Sequence, residues 1–181
     1  MKQWPHIAAS SDAGIGNGRT CIGCTLCCSL LGIVELKKPV FKICKHCVIG
    51  KGCKIYEMKP PTCAEFYCSY RAYANVPEHW NPRVCGMLLH KENNMLSIVC
   101  SSGAKHRWKK EPYWTDIKQA AAAMDAQRGG RIRIIRKGEP VLVINPETFE
   151  AHVVGELKDM AALPHWQPSD DQGQQSATTG V

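Results

Sequence analysis

Nine cysteines fall within residues 21–71, at positions 21, 24, 27, 28, 44, 47, 53, 63 and 68. Four of them, Cys21, Cys24, Cys27 and Cys28, sit in the octapeptide CIGCTLCC. Thiols so placed serve one of three chemistries: a disulfide, a nucleophile or a grip on a metal. The chain carries eleven cysteines in all, an odd number that cannot fully pair. Its N-terminal MKQWPHIAASSDAG has no apolar run of signal-peptide length, so a reducing, cytoplasmic setting is expected, where structural disulfides are rare. A nucleophile needs one activated thiolate beside a base, and His46 in CKHC is the only histidine close in sequence. One nucleophile leaves the other eight thiols unexplained.

Metal ligation accounts for several of them at once. A CxxC turn brings two sulfurs near one ion, and its backbone N–H groups can point at the thiolates and stabilise their charge. Cys21 with Cys24 and Cys44 with Cys47 make two such turns, and Cys24 with Cys27 makes an overlapping third. Cys27 and Cys28, being adjacent, are expected to direct their side chains apart. Nine thiols suffice for two four-sulfur sites with one to spare, or for one site with several spare cysteines. No histidine stands at ligand spacing, which favours all-thiolate coordination of zinc or of an iron–sulfur cluster. CxxCxxC is similar to the clustered ligands of bacterial ferredoxins, but Cys28 follows at once, without the three-residue gap and closing Cys-Pro.

Together, CxxCxxCC at 21–28, CKHC at 44–47 and GCKIYEMKPPTCAEFYC at 52–68 resemble the YkgJ-type cysteine-cluster family, described as zinc- or iron-chelating. That family's second block reads GC-x-IY-x-x-RP-x-x-C-x-x-F. This chain matches it at Gly52, Cys53, Ile55, Tyr56, Pro60, Cys63 and Phe66, and departs at Lys59, where arginine is usual. Cys68 and VPEHWNP at 76–82 resemble a subgroup with one more cysteine. The resemblance covers 21 to about 90 and implies a metal set of Cys21, Cys24, Cys27, Cys28, Cys47, Cys53, Cys63 and Cys68, with Cys44 as a ninth. It also relates the cluster to flagellin lysine methylases, thought to carry an iron–sulfur cluster, most of whose length has no counterpart here.

Other features were weighed for chemistry. The charge of +7 suggests an anionic partner, yet two four-cysteine zinc sites would bring it to about +3, and seven lysines between residues 37 and 59 would offset thiolate charge. KHRWKKEPYW (105–114) mixes Lys105, Arg107, Lys109 and Lys110 with Trp108, Tyr113 and Trp114, as single-stranded nucleic acid would require; a loop anchored by its aromatics is the favoured reading. His6, His79, His90, His106, His152 and His165 are scattered, with no pair at helical metal spacing. GIGNG (14–18) lacks both a preceding strand and a following Lys-Ser/Thr. No paired carboxylates, serine elbow or phosphate loop stands out.

These residues need elements to hold them. Residues 1–20 read as a flexible lead-in, 21–163 as one domain (a metal knot over 21–71 and an α+β half over 72–163), and 164–181 as a disordered tail. VCGMLLH (84–90) and MLSIVC (95–100) form one hairpin; a turn centred on Glu92 and Asn93 would set Cys85 opposite Cys100. Cys85, Met87, Leu89, Leu96, Ile98 and Cys100 would share one apolar face, the two cysteines as buried free thiols. TDIKQAAAAMDAQR (115–128) has Ile117, Ala120, Ala121 and Met124 at helical spacing, with Thr115 to cap its start and Gly129 and Gly130 to end it. RIRIIR (131–136) and VLVIN (141–145) form a second hairpin whose arginines line a wet face. Ile55, Tyr56, Phe66, Tyr67 and Tyr70 would build a small core around the knot, and Pro60 and Pro61 would turn Cys63 back toward it.

The expected fold is α+β: an irregular cysteine-rich half packed on a small antiparallel sheet of two hairpins with one helix. The expected function is metal binding, with zinc or an iron–sulfur cluster as cofactor, in metal or cluster handling or in support of a protein partner. An iron–sulfur enzyme of redox or protein-modifying type, and a zinc module that binds nucleic acid, are the alternatives. No run of about 18 apolar residues offers a membrane span.

Overall fold

The computed structural model describes residues 18–20 and 22–156. Cys21, most of the expected lead-in and the tail at 164–181 lie outside the described residues. The cysteine-rich half holds only short elements: α1 (Leu26–Leu30), the paired β1 (Cys47–Val48) and β2 (Gly52–Cys53), α2 (Pro61–Glu65) and α3 (Ser69–Ala72). Then come α4 (Pro82–Cys85), β3 (Met87–Glu92), β4 (Met95–Cys100), α5 (Tyr113–Arg128), β5 (Arg131–Arg136), β6 (Val141–Ile144) and β7 (Ala151–Gly155).

β3 to β7 make one five-stranded sheet in sequence order. Both expected hairpins form, β3 with β4 and β5 with β6. The sheet is mixed, however, and not antiparallel throughout: β4 and β5 run parallel, joined by α5 in a β-α-β crossover. No βαβ alternation was expected from the sequence. A hairpin pattern fixes the pairing inside each hairpin and leaves the direction between hairpins to the connecting helix, which here returns the chain to the starting end of β4. β7, which the sequence reading missed, adds an edge strand with Val153 and Val154 exposed.

The first turn centres on Asn93 and Asn94, since Glu92 faces Met95, and Asn93 takes a φ of 47°. That shift places Met87 opposite Cys100. Cys85 leaves the strand altogether and ends α4, yet it stays in the same apolar cluster as Met87, Leu89, Leu96, Ile98 and Cys100. Both thiols are fully buried, and burial pushes Cys85 up to about 11 and Cys100 up to about 12.

α5 begins two residues before the expected cap. Thr115 lies inside it, and its N–H donates to Glu111 Oε2 at 3.3 Å. Gly129 ends the helix in the left-handed conformation, its N–H donating to Asp125 O and that of Gly130 to Met124 O. Ile117, Ala120, Ala121 and Met124 are buried as their spacing requires, and Trp108 and Tyr113 anchor the basic loop to the same core. The arginines of β5 are not uniformly wet: Arg136 is buried, and it and Lys105 flank Glu139. β5 is an inner strand, so even its polar positions lie under neighbouring chain.

The sheet's other face carries Leu88, Val99, Ile135 and Val141, which pack with Leu30 and with Leu26, Cys27, Phe41 and Phe66 of the cysteine-rich half. That half therefore covers one face of the sheet while α5 covers the other. Arg19, placed by sequence in the lead-in, ties the chain down: its guanidinium donates to the carbonyls of Tyr70, Tyr73 and Val76 and lies 4.1 Å from the centre of the Tyr70 ring. No helix among the described residues is long and apolar enough to cross a membrane.

Gly86 makes the corner between α4 and β3 at a φ of 69°. A Cβ there would meet Ala104 Cβ and Ser101 Oγ, both at 2.9 Å, whereas at Gly138, φ 70°, nothing lies within 4 Å. Gly138→Ala should cost about 1–2 kcal/mol through backbone strain alone, and Gly86→Ala about 1–3 kcal/mol more through the clash. Urea unfolding of the two variants checks this; equal losses would mean that the 101–104 segment yields freely.

Candidate metal centre

Backbone contacts knit the thiol-bearing segments together. Cys44 N–H donates to Cys28 O at 3.0 Å, which docks the 44–47 turn on α1. Cys47 N–H returns to Cys44 O at 3.0 Å, closing the CKHC turn. Cys47 faces Cys53 across the β1–β2 ladder. Pro60 and Pro61 end one short helical turn and begin α2, whose third residue is Cys63, and Cys63 N–H donates to Pro60 O.

The side chains respond to one another. The Cys28 thiol is held far above its ordinary range, first by its hydrogen bond with Cys27 and then by burial. Burial and then the neighbouring Cys28 raise Cys47. Burial, followed by Cys28, Cys44 and Cys53, pushes Cys63 up to about 11. Cys27, Cys28, Cys44, Cys47, Cys53 and Cys63 thus form one electrostatic group. Cys27 and Cys28 do not diverge as expected, because consecutive helical residues point about 100° apart and not to opposite sides as on a strand. Cys44, the uncertain ninth of the sequence reading, stands inside the group and is buried.

Cys24 and Cys68 flank this group. Cys24 acts on the buried Cys85. Cys68 packs at the boundary of the two apolar clusters. The ten described cysteines are all free thiols.

Lys38 is the cation of the group. A tight turn over 33–38, with Ile33 and Lys38 exchanging two backbone hydrogen bonds at 3.0 Å, buries its stem. Its ammonium donates to the carbonyls of Leu31 and Pro39. Burial lowers its pKa, while Cys44, Cys28, Cys63 and Cys27, were they ionised, would raise it. Of the seven lysines expected to balance thiolate charge, this is the one that the fold brings inside.

The thiols suit a soft cation in donor type and in charge, since Cys28, Cys47 and Cys63 resist ionising beside their neighbours until positive charge arrives. Among the described residues, no three His, Cys, Asp or Glu side chains already stand in an arrangement that could hold a metal ion. The group is a convergence of thiols and not a closed coordination shell.

Between this group and the sheet lies a cavity of about 190 Å³. Cys27, Cys28, Cys53 and Cys63 line one side, and His90, Ser97 and Val99 of the sheet line the other. His90 escaped the sequence reading because no second histidine stands near it in the chain; only the strand register reveals its place. It is buried, which lowers its pKa, and its ring lies 5.0 Å from that of Phe66. Of the aromatics expected to wrap the knot, Phe66 does so; Tyr56 lines the cavity but stays half exposed, Tyr67 is exposed, and Tyr70 belongs to the opposite core, where its hydroxyl donates to Glu78.

At pH 8 a thiol of pKa about 11 holds about a hundredfold less thiolate than one of pKa 9, and the thiolate is the reactive form. In chelator-treated protein, alkylation of Cys63 by iodoacetamide should therefore be slow at pH 8 and rise about tenfold per pH unit up to pH 10. Peptide mass spectrometry of timed samples checks this; a rate already flat above pH 9 would contradict it.

No family model, curated protein or solved structure matches this chain.

Proposed function

We propose that this protein binds a thiophilic metal centre, zinc or an iron–sulfur cluster, and acts in metal or cluster handling. Cys27, Cys28, Cys44, Cys47, Cys53 and Cys63 would hold it, with Cys21, Cys24 and Cys68 as further donors from flanking segments. The observation that carries this reading is that thiols from four separate stretches converge beside the buried Lys38 and, together with burial, raise the pKa values of Cys28, Cys47 and Cys63. An uncompensated group of that kind is a poor way to build a core. Small apolar residues would pack there without electrostatic cost. A cation removes the cost, because metal binding exchanges protons for positive charge. The likeness of the cysteine pattern to the YkgJ-type family supports the same reading. Zinc would serve there as a crosslink between the segments, whereas an iron–sulfur cluster would supply electron transfer.

Purification without oxygen, followed by metal analysis and an absorption spectrum, tests the proposal. The wild-type chain should retain zinc, or iron with acid-labile sulfide, after desalting. Cys28→Ser should lose most of it, and Cys100→Ser, altering a thiol in the opposite core, should keep it. A wild-type chain that retains no metal even after zinc or cluster reconstitution would overturn the reading. Equal retention by the Cys28 variant would remove this thiol group as the site.

A further inference from the structure

The cavity holds a pair of polar groups that the thiol chemistry does not use. His90 and Ser97 face one another across the β3–β4 ladder, and both line the cavity. Facing side chains on such a pair lie about 4.5–5.5 Å apart at their Cβ atoms, so one small polar group can reach both.

Their hydrogen-bonding states follow from their partners. His90 Nδ1 lies 3.3 Å from Tyr67 O, a carbonyl that only accepts, so the proton of the neutral ring is on Nδ1. Nε2 is then a bare acceptor, and among the described residues nothing donates to it. Ser97 Oγ accepts from Arg133 Nε at 2.6 Å. Its O–H is thereby left to donate, and among the described residues no acceptor takes it. An acceptor and a donor thus stand side by side on an otherwise apolar floor that includes Val99, with Leu31, Ile33 and Phe66 among the surrounding walls.

A hydroxyl satisfies both at once: it donates to Nε2 and accepts from Ser97 O–H. On the floor itself an anion would be repelled by the Nε2 lone pair, and the charged Lys59 and Glu65 stand elsewhere in the lining, off the sheet. The size is also informative. An apolar cavity of about 150 Å³ is enough for a benzene ring, and this one measures about 190 Å³. The Phe66 ring offers a face or an edge for a second aromatic ring.

We propose that this cavity is a binding site for a small, uncharged monocyclic phenol, whose hydroxyl is read by His90 and Ser97 and whose ring fills the space beneath the thiols. The site does not require the metal reading to be correct. The two groups that read the hydroxyl belong to the sheet, while Lys59, Thr62 and Glu65 complete the lining from the cysteine-rich half.

Phenol and toluene, titrated separately into the full-length chain and followed by saturation-transfer NMR, provide the test. Wild type should bind phenol. His90→Leu and Ser97→Ala should each weaken phenol about three- to tenfold while leaving toluene unchanged or tighter. Val99→Phe, which fills the floor, should exclude both. Absence of phenol binding to wild type would overturn the proposal. So would phenol affinity that is unchanged in His90→Leu and Ser97→Ala, or a loss of both probes together in the conservative Ser97→Ala.

Discussion

The structure depends on a sheet that is apolar on both faces. Met87, Leu89, Leu96, Ile98, Ile132 and Ile134 belong to the cluster covered by α5, and Leu88, Val99 and Ile135 to the cluster on the other side. Each fully buried side chain of this size contributes about 1.5–3 kcal/mol, so the second face is worth as much as the whole stability margin of an ordinary domain. A single helix of sixteen residues cannot cover both faces. The cysteine-rich half is therefore the sheet's second layer, and the fold of each half is bound to the other.

That layer is made of very short elements, the longest helix having five residues. Helices so short have no stability of their own. What orders them is the tight turn at 33–38, the closed CKHC turn, the β1–β2 ladder and the contact with Leu88 and Val99. The thiols are placed by these backbone constraints and not by one another, since the ten described cysteines form no disulfide. The same constraints bring in Lys38. Its burial is costly for an ammonium, and the carbonyls of Leu31 and Pro39 together with the nearby sulfurs offset the cost.

The existence of the main elements was legible in local patterns, whereas their exact ends and the relations between hairpins were not. The spacing of Ile117, Ala120, Ala121 and Met124 marked α5, and the alternation around Leu89 and Ile98 marked a buried face, because both depend only on chain geometry. The parallel pairing of β4 with β5 depends on where α5 packs, which no window of sequence contains. β7 was missed since AHVVG is short and its valines stay exposed. At the site, clustering revealed the thiols but could not sort them. Cys24 lies near enough to Cys85 to act on it, Cys68 packs at the apolar boundary, and Cys44 stands inside the group. His90 was hidden for the same reason: it reaches the cavity through its pairing with Ser97, a relation between strands.

The cavity follows from how the two layers meet. A helix laid on a sheet offers a continuous ridge of side chains that can interdigitate with the strands, as α5 does with Ile132 and Ile134. A layer built from turns and single helical turns offers separate contact points. Leu30, Phe41 and Phe66 reach the sheet, and between them a cavity remains above the buried His90, Ser97 and Val99. The side chains on that floor are consistent with such a gap. A closed interface would leave the Nε2 lone pair and the Ser97 proton buried without partners, at about 1–3 kcal/mol each. Hydrophobic residues at both positions would have sealed the layers more cheaply. The cavity above the pair leaves room for water or a ligand to meet those two groups, which a sealed interface would not.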